Sequence, residues 1–304
     1  MKLLMTGATG VLGMAAVPVL VSSGWDVTAV ARSSDQQRDL DRMGARPVEM
    51  DLFEPADIAH KVAGVDAVVH FATAIPPYES MKQRSSWDTN DTLRDHATAL
   101  LVEASIAAGV SRFIQQSVTF SYADGGTGWL DESSPIEPVW DVLDSSLAAE
   151  AHVARFAKAG GAGVVLRLSR LYGPGRASAE YVWAARERQL PIIGSGRNYV
   201  SSLHVDDAAT ALRAALTVPP GVYNVTDDRP VSSVDYNRSL AAALGAPKPR
   251  RVPEIIARAS QGDVVKLLTI SHRVSNQRFV KATRWSPTYS SVLDGWEDVV
   301  SRDV

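Results

Sequence analysis

The sequence predicts an α/β protein built on a doubly wound parallel sheet, with a smaller C-terminal lobe woven back onto it. Near-continuous apolar strands alternate with helical stretches, the pattern of a parallel sheet covered on both faces. A glycine-rich turn joins the first strand to the first helix. At 304 residues, 45% hydrophobic and 21% charged, the chain has the apolar content for one large domain or two intimate ones.

Lys2-Leu-Leu-Met-Thr-Gly7-Ala-Thr-Gly10-Val-Leu-Gly13 is a short apolar strand that breaks into three glycines spaced by three and runs at once into a helix, Val11 to Val21. Glycine lets the backbone turn sharply and lets a pyrophosphate approach, while the helix start presents unpaired N–H groups and a positive dipole end. Gly7, Thr9, Gly10, Val11, Leu12 and Gly13 are therefore candidate dinucleotide-phosphate residues. Val27 to Ala31 reads as a buried strand ending in Arg32-Ser33-Ser34, and Pro47 to Met50 as a strand before Asp51-Leu52. Ala67 to Phe71 reads as a fourth strand, Leu93 to Ala108 as a long helix and Phe113 to Ser117 as a fifth strand. Ala123 to Asp141, rich in Gly, Asp, Ser and Pro, is long enough for a lid or cleft edge. Helix Ser145 to Ala159 and strand Val164 to Leu168 follow. Beyond Leu171-Tyr-Gly-Pro-Gly175 the alternation loosens into helix Ala179 to Gln189, a return segment Ser202 to Thr217, strand Val222 to Val225 and a proline-punctuated tail. Residues 1–170, with a returning segment near 202–225, read as the nucleotide domain, and 171–304 as an interleaved substrate lobe.

A net charge of −3 and a pI near 6.1 give no basic field for nucleic acid or acidic membranes. With no cysteine, disulfide and thiolate chemistry are excluded. No apolar run approaches the roughly 18 residues of a membrane span, and a cytoplasmic location with no membrane or nucleic-acid partner is the expectation. His60, His70, His96, His152 and His272 lack a partner at metal-ligand spacing, so no metal is expected. The acids after His204, Asp206 and Asp207, suit a helix N-terminus.

Taken together, these motifs resemble the extended short-chain dehydrogenase/reductases, the superfamily of NAD-dependent epimerases and dehydratases, over nearly the whole chain. Thr6-Gly7-Ala8-Thr9-Gly10-Val11-Leu12-Gly13 fits its TGxxGxxG turn in a Rossmann domain. Asp51-Leu52 fits its adenine-contacting Asp. His70-Phe71-Ala72, with Thr73, fits the strand end passing the adenine ribose. Leu171-Tyr172-Gly173-Pro174 and Leu203-His204-Val205-Asp206-Asp207 fit two further stretches, the first near the nicotinamide, to which Leu168, Arg170 and Leu171 are assigned as cofactor residues along with Ser117.

The resemblance implies a Tyr and a Lys four residues apart on the helix after the long loop, and a Ser or Thr at the end of strand five. Aligning Ser145-Ser146-Leu147-Ala148-Ala149-Glu150 to that helix puts Val142 at the Tyr position and Ser146 at the Lys position, and the serine falls at Val118, beside Ser117. Tyr78-Glu-Ser-Met-Lys82 carries the spacing but lies in a loop before the Leu93 helix. Ser117, Tyr122 and Ser146 are the catalytic candidates.

At the end of strand two, where an acid would hold the ribose of NAD, the sequence is Ala31-Arg32-Ser33 with Arg38 beyond, a pattern that favours NADPH. Trp140, Tyr172, Tyr181, Trp183 and Tyr199 fall in the lid and substrate lobe and together allow a flat aromatic substrate. Arg170 replaces the Asn that sugar-nucleotide members carry, which weakens a sugar-nucleotide substrate. The resemblance extends to atypical ketoreductases that tailor aromatic polyketides such as angucyclinones in antibiotic biosynthesis. It implies a monomeric or homodimeric NADPH-dependent reductase of an aromatic carbonyl, assisted by the substrate's own hydroxyl. A non-catalytic NADP-binding sensor and a sugar-nucleotide epimerase are the alternatives.

Overall fold

A computed structural model describes residues 1–302. Its core is a seven-stranded, all-parallel sheet formed by β1 (Lys2–Thr6), β2 (Asp26–Val30), β3 (Arg46–Val48), β4 (Ala67–His70), β5 (Arg112–Val118), β6 (Ala162–Leu168) and β7 (Gly221–Val225). The strand order is β7-β6-β5-β4-β1-β2-β3. The chain leaves β1 in one direction and returns at β4 in the other, and ligands of doubly wound sheets bind outside the carboxyl ends of the strands at such a reversal.

Each strand places alternate side chains in two separate cores, as burial on both faces requires. On one face α1 (Val11–Ser22) packs on an alanine-rich helix, Val205–Ala215, whose Ala208, Ala209, Ala211 and Leu212 bury against Leu3, Met5 and Ile114. The other face holds Pro55–Val62, Thr98–Ala107 and α2, the label used here for Asp144–Lys158, with Leu4, Val68 and Phe113 beneath them. The helix expected from Leu93 begins earlier, at Asp88, and passes through a π-helical turn, Leu93–Ala97, before regular α-helix resumes at Thr98.

The return segment enters the nucleotide domain physically: β7 pairs with β6 over its whole length. A third apolar cluster, with Tyr172, Tyr236, Leu240 and Trp296, forms the interior of the smaller lobe. Within the lid expected over Ala123–Asp141, Trp129–Leu130 forms a short strand paired in parallel with Arg273–Val274. No helix of the described residues is long and apolar enough to cross a membrane.

Candidate active site

The glycine turn lies at the β1/β4 reversal. Gly7 has φ +72°, and a Cβ there would meet the Phe71 carbonyl at 2.3 Å; a Cβ on Gly13 would meet the Gly7 oxygen at 2.3 Å. These two glycines serve the fold, because no side chain fits between such backbones. Gly10 differs: its Cβ would meet only the Gly7 oxygen, at 3.3 Å, and would otherwise project into open space at the helix start. Gly10 caps α1 without a side chain, and the amides of Val11, Leu12 and Gly13 find no acceptor among the described residues. Open space ringed by unpaired N–H groups fits a pyrophosphate.

At the end of β2 the Arg32 side chain is exposed and makes no hydrogen bond or ion pair with a described residue, whereas its backbone N–H donates to Gln36. Ser33 caps the next helix by accepting from the Gln36 N–H. Arg38, by contrast, is paired with Asp35 on the exposed face of that helix. Asp51 accepts from the Phe53 N–H at 2.9 Å, closing the turn after β3. Leu52, Ala72 and Thr73 are half-buried and Phe71 is buried, with the Phe71 N–H donating to the Thr6 carbonyl.

His70 is buried just before that point. Its Nδ1 lies 2.5 Å from the Thr6 hydroxyl and its Nε2 3.1 Å from the Leu93 carbonyl. Burial, reinforced by the Arg94 charge, lowers its pKa to about 4 although the Leu93 contact works the other way, so the ring is neutral at neutral pH.

Val118 and Val142, which stand where the resemblance implies Ser and Tyr, belong to one apolar cluster. Val142 is buried with Trp87, Trp140, Leu143 and Val264, and Val118, Met81 and Phe120 pack against them. Trp87 and Trp140 meet edge to face at 5.5 Å. Ser146, at the Lys position, is buried and accepts a hydrogen bond from Arg94. Burial lowers the Arg94 pKa to about 10, with the Asp91 and Glu150 charges working against the fall, so it remains a cation. Sequence reading missed Arg94 because Ser146 lies 52 positions away.

Ser117 and Tyr122 are both committed to a buried network. The Ser117 hydroxyl donates to Glu150 at 2.6 Å, and Arg167 clasps the two Glu150 oxygens at 2.8 and 2.5 Å. Arg167 also donates to the Tyr122 hydroxyl at 2.9 Å, which in turn donates to Asn224 at 2.8 Å. Burial alone disfavours the Arg167 charge, but the contacts with Glu150 and Tyr122 outweigh it and hold the guanidinium above its ordinary range. Burial likewise raises the Tyr122 pKa, against the pull of Arg167. Each of these hydroxyls is engaged in a buried network that joins β5, β6, β7 and α2, in which the Asn224 side-chain nitrogen finds no partner among the described residues.

A small cleft, with an interior of about 10 Å³ or room for one water, lies beside Phe120, lined by Thr119, Arg170, Tyr199 and His272. The Arg170 guanidinium carbon lies 5.8 Å from the Phe120 ring centre, 6.0 Å from that of Tyr181 and 5.6 Å from that of Tyr236, and one nitrogen is 3.3 Å from the Tyr181 hydroxyl. His272 donates through Nε2–H to the Tyr122 carbonyl, 3.0 Å away, which leaves a lone pair on Nδ1 of the neutral ring. Burial lowers the His272 pKa, which keeps the ring neutral.

Of the five aromatic substrate candidates, Tyr199 lines this cleft and Tyr181 contacts its Arg170. Tyr172 is fully buried, with its ring centre 5.0 Å from that of Trp296, and Trp140 is buried in the apolar cluster. Trp183 is 56% exposed. Leu168 is a core residue and Leu171 packs against that core. In the loop before the π-helical turn, the Lys82 ammonium lies 3.5 Å from the Ser260 carbonyl, and Tyr78 feels the charges of Tyr181 and Glu180 after the larger effect of burial, which together raise its pKa. His204 caps its helix by accepting from the Asp206 N–H at 3.2 Å, and Asp207 accepts from the Thr288 and Tyr289 amides, so this stretch ties the tail to the core.

The model of the NAD dependent epimerase/dehydratase family matches residues 3–226. A 3-diazoavenalumate denitrifying reductase from a Streptomyces species is 34% identical over 97% of this chain and 99% of its own. A 2-alkyl-3-oxoalkanoate reductase of Stenotrophomonas maltophilia is 32% identical over 82% of this chain and 77% of its own. Among solved structures, the human epimerase family protein SDR39U1 with NADPH superposes with a TM-score of 0.81 at 22% identity over 99% of both chains. The dTDP-glucose 4,6-dehydratase DesIV of Streptomyces venezuelae, with NAD, gives 0.83 at 22% identity over 99% of this chain and 96% of its own. Such identities speak for the Rossmann-like fold, while the closer relatives are reductases, and the activity class is NAD(P)-dependent oxidoreduction. Because the family model spans the sheet from β1 to β7 and a relative matches nearly end to end, the chain belongs to the NAD-dependent epimerase/dehydratase family.

Proposed function

We propose that this chain is an NADPH-dependent ketoreductase acting on a carbonyl of an aromatic polyketide-like substrate, with the substrate rather than a tyrosine providing the proton. One observation carries the reading: Val118 and Val142 pack with two tryptophans where the resemblance implies two hydroxyls. Methyl groups neither donate a proton nor stabilise a developing alkoxide, so the acceptor must bring its own means of doing both. A phenol ortho or peri to the ketone, hydrogen-bonded to it, suffices, either by donating its proton or by delocalising charge as a phenolate.

The dihydronicotinamide, when bound, supplies the hydride. The free amides of Val11, Leu12 and Gly13 hold the pyrophosphate, and the unpaired Arg32 side chain favours a 2′-phosphate and hence NADPH. Arg94, seated on the Ser146 hydroxyl, restores a buried cation to the place of the missing lysine. Position alone is worth enough: holding reacting groups in geometry removes about 7–11 kcal/mol of barrier, against the ~10²–10⁴ in rate that a general acid contributes.

A second acceptor is favoured by the relative named a 3-diazoavenalumate denitrifying reductase. An aryl diazonium is electron-poor by itself; one hydride converts it to the arene and dinitrogen, with no oxyanion to protonate. The experiment is NADPH consumption with a panel of hydroxylated aromatic ketones, their O-methyl ethers and aryl diazonium salts. Reduction of the hydroxy ketones but not their ethers supports the main reading, and reduction of the diazonium salts alone supports the second. Tight NADPH binding with no consumption across the panel overturns both in favour of a sensor.

A further inference from the structure

Arg170 lies on the chain immediately after β6, partly buried at the cleft, and its surroundings contain no acid. Phe120, Tyr181 and Tyr236 present their rings to it, and the Tyr181 and Tyr236 hydroxyls are its polar partners. No carboxylate lies within ion-pair distance among the described residues, although Arg38, Arg42, Arg84, Arg167, Arg229, Arg258 and Arg302 each have one. A guanidinium withdrawn from water without a counter-charge is costly. The aromatic faces offset part of that cost, yet they leave the planar fork of donors unfilled. The cleft beside it is bounded by Tyr199 and His272, and the lone pair of His272 Nδ1 adds an acceptor on the same wall.

We propose that Arg170 anchors a carboxylate carried by a planar, unsaturated substrate, with Phe120 and Tyr199 flanking its apolar body. The inference rests on the reading of this chain as a reductase of an aromatic acceptor. A carboxylate matches the guanidinium fork through two parallel hydrogen bonds, which fixes both distance and plane and so presents the reducible group in one orientation. Tyr181 and Tyr236 then act as positioning residues that hold the fork, and a hydroxyl on the ligand can donate to His272 Nδ1. The arrangement selects acids over esters and amides of the same shape, because a neutral oxygen leaves the buried charge uncompensated.

The test measures binding, not turnover. Cinnamate, salicylate and 1-naphthoate are titrated by calorimetry against their methyl esters, in the presence of saturating NADPH. The wild-type protein is expected to bind at least one acid about tenfold or more tightly than its ester, the usual worth of a charge-assisted pair. Arg170→Met abolishes that preference and Arg170→Lys keeps part of it. Equal binding of acid and ester by the wild type in all pairs overturns the anchor, whether or not the variants fold. Loss of NADPH binding in folded Arg170→Met also overturns it, since the arginine then serves the cofactor. Acid-selective, Arg170-dependent binding without reduction of any acceptor leaves the anchor standing and refutes the reductase reading; reduction of neutral ketones without acid preference does the reverse.

Discussion

Tyr122→Phe separates structural from chemical use of a hydroxyl. The Tyr122 ring is fully buried, and its hydroxyl accepts from Arg167 at 2.9 Å and donates to Asn224 at 2.8 Å. Removing the oxygen leaves one guanidinium N–H and one amide oxygen without partners in a closed interior. Each unsatisfied group costs about 1–3 kcal/mol, but Arg167 keeps its clasp on Glu150, so the lower half of the combined range applies, about 2–4 kcal/mol. At about 1.5–2 °C per kcal/mol for a chain of 304 residues, the melting temperature falls by about 3–8 °C. Turnover of the folded variant stays within a few-fold of wild type, far from the ~10²–10⁴ loss that deleting a general acid produces. Differential scanning calorimetry beside an NADPH-consumption assay reads both numbers. An unchanged melting temperature with reduction abolished, while NADPH and substrate still bind, refutes the structural assignment and makes Tyr122 the proton donor.

Gly10→Val keeps the fold, because its Cβ meets only one carbonyl at 3.3 Å, but fills the pyrophosphate space; fluorescence titration should find neither cofactor bound, while normal binding to the folded variant sinks the site. Arg32→Ala weakens NADPH by about tenfold, the exposed share of a charge-assisted contact, and leaves NADH unchanged; equal losses show that Arg32 acts elsewhere. For His70 the folded pKa of about 4 lies below the ordinary 6.5, so the unfolded chain takes up the proton first as pH falls. Its contribution to stability is therefore complete above about pH 6.5 and is lost downwards toward pH 4 at up to about 1.4 kcal/mol per pH unit. Urea unfolding of His70→Gln across this window should show a slope shallower than wild type by that amount; identical slopes contradict the buried neutral ring.

The sequence by itself determined the sheet and the glycine turn at its β1/β4 reversal. These rest on local rules: apolar runs that want burial on both faces, and a turn in which Gly7 and Gly13 permit close backbone approach while Gly10 leaves room for a ligand. The valines at 118 and 142 were also legible, since their spacing from Tyr122 and Glu150 runs along the chain. What tertiary structure alone decided is which side chains meet. Ser117 is taken by Glu150, 33 positions on, and Ser146 by Arg94, 52 positions back. Tyr172 disappears beneath Trp296, and Arg170 is left facing aromatic rings with no acid. Such pairings depend on crossovers between strands and on helices from two lobes closing over one another, and no periodicity of a single segment records them. Backbone conformation is written residue by residue, whereas the charge balance of a buried group is a sum over neighbours that only the folded chain brings within reach.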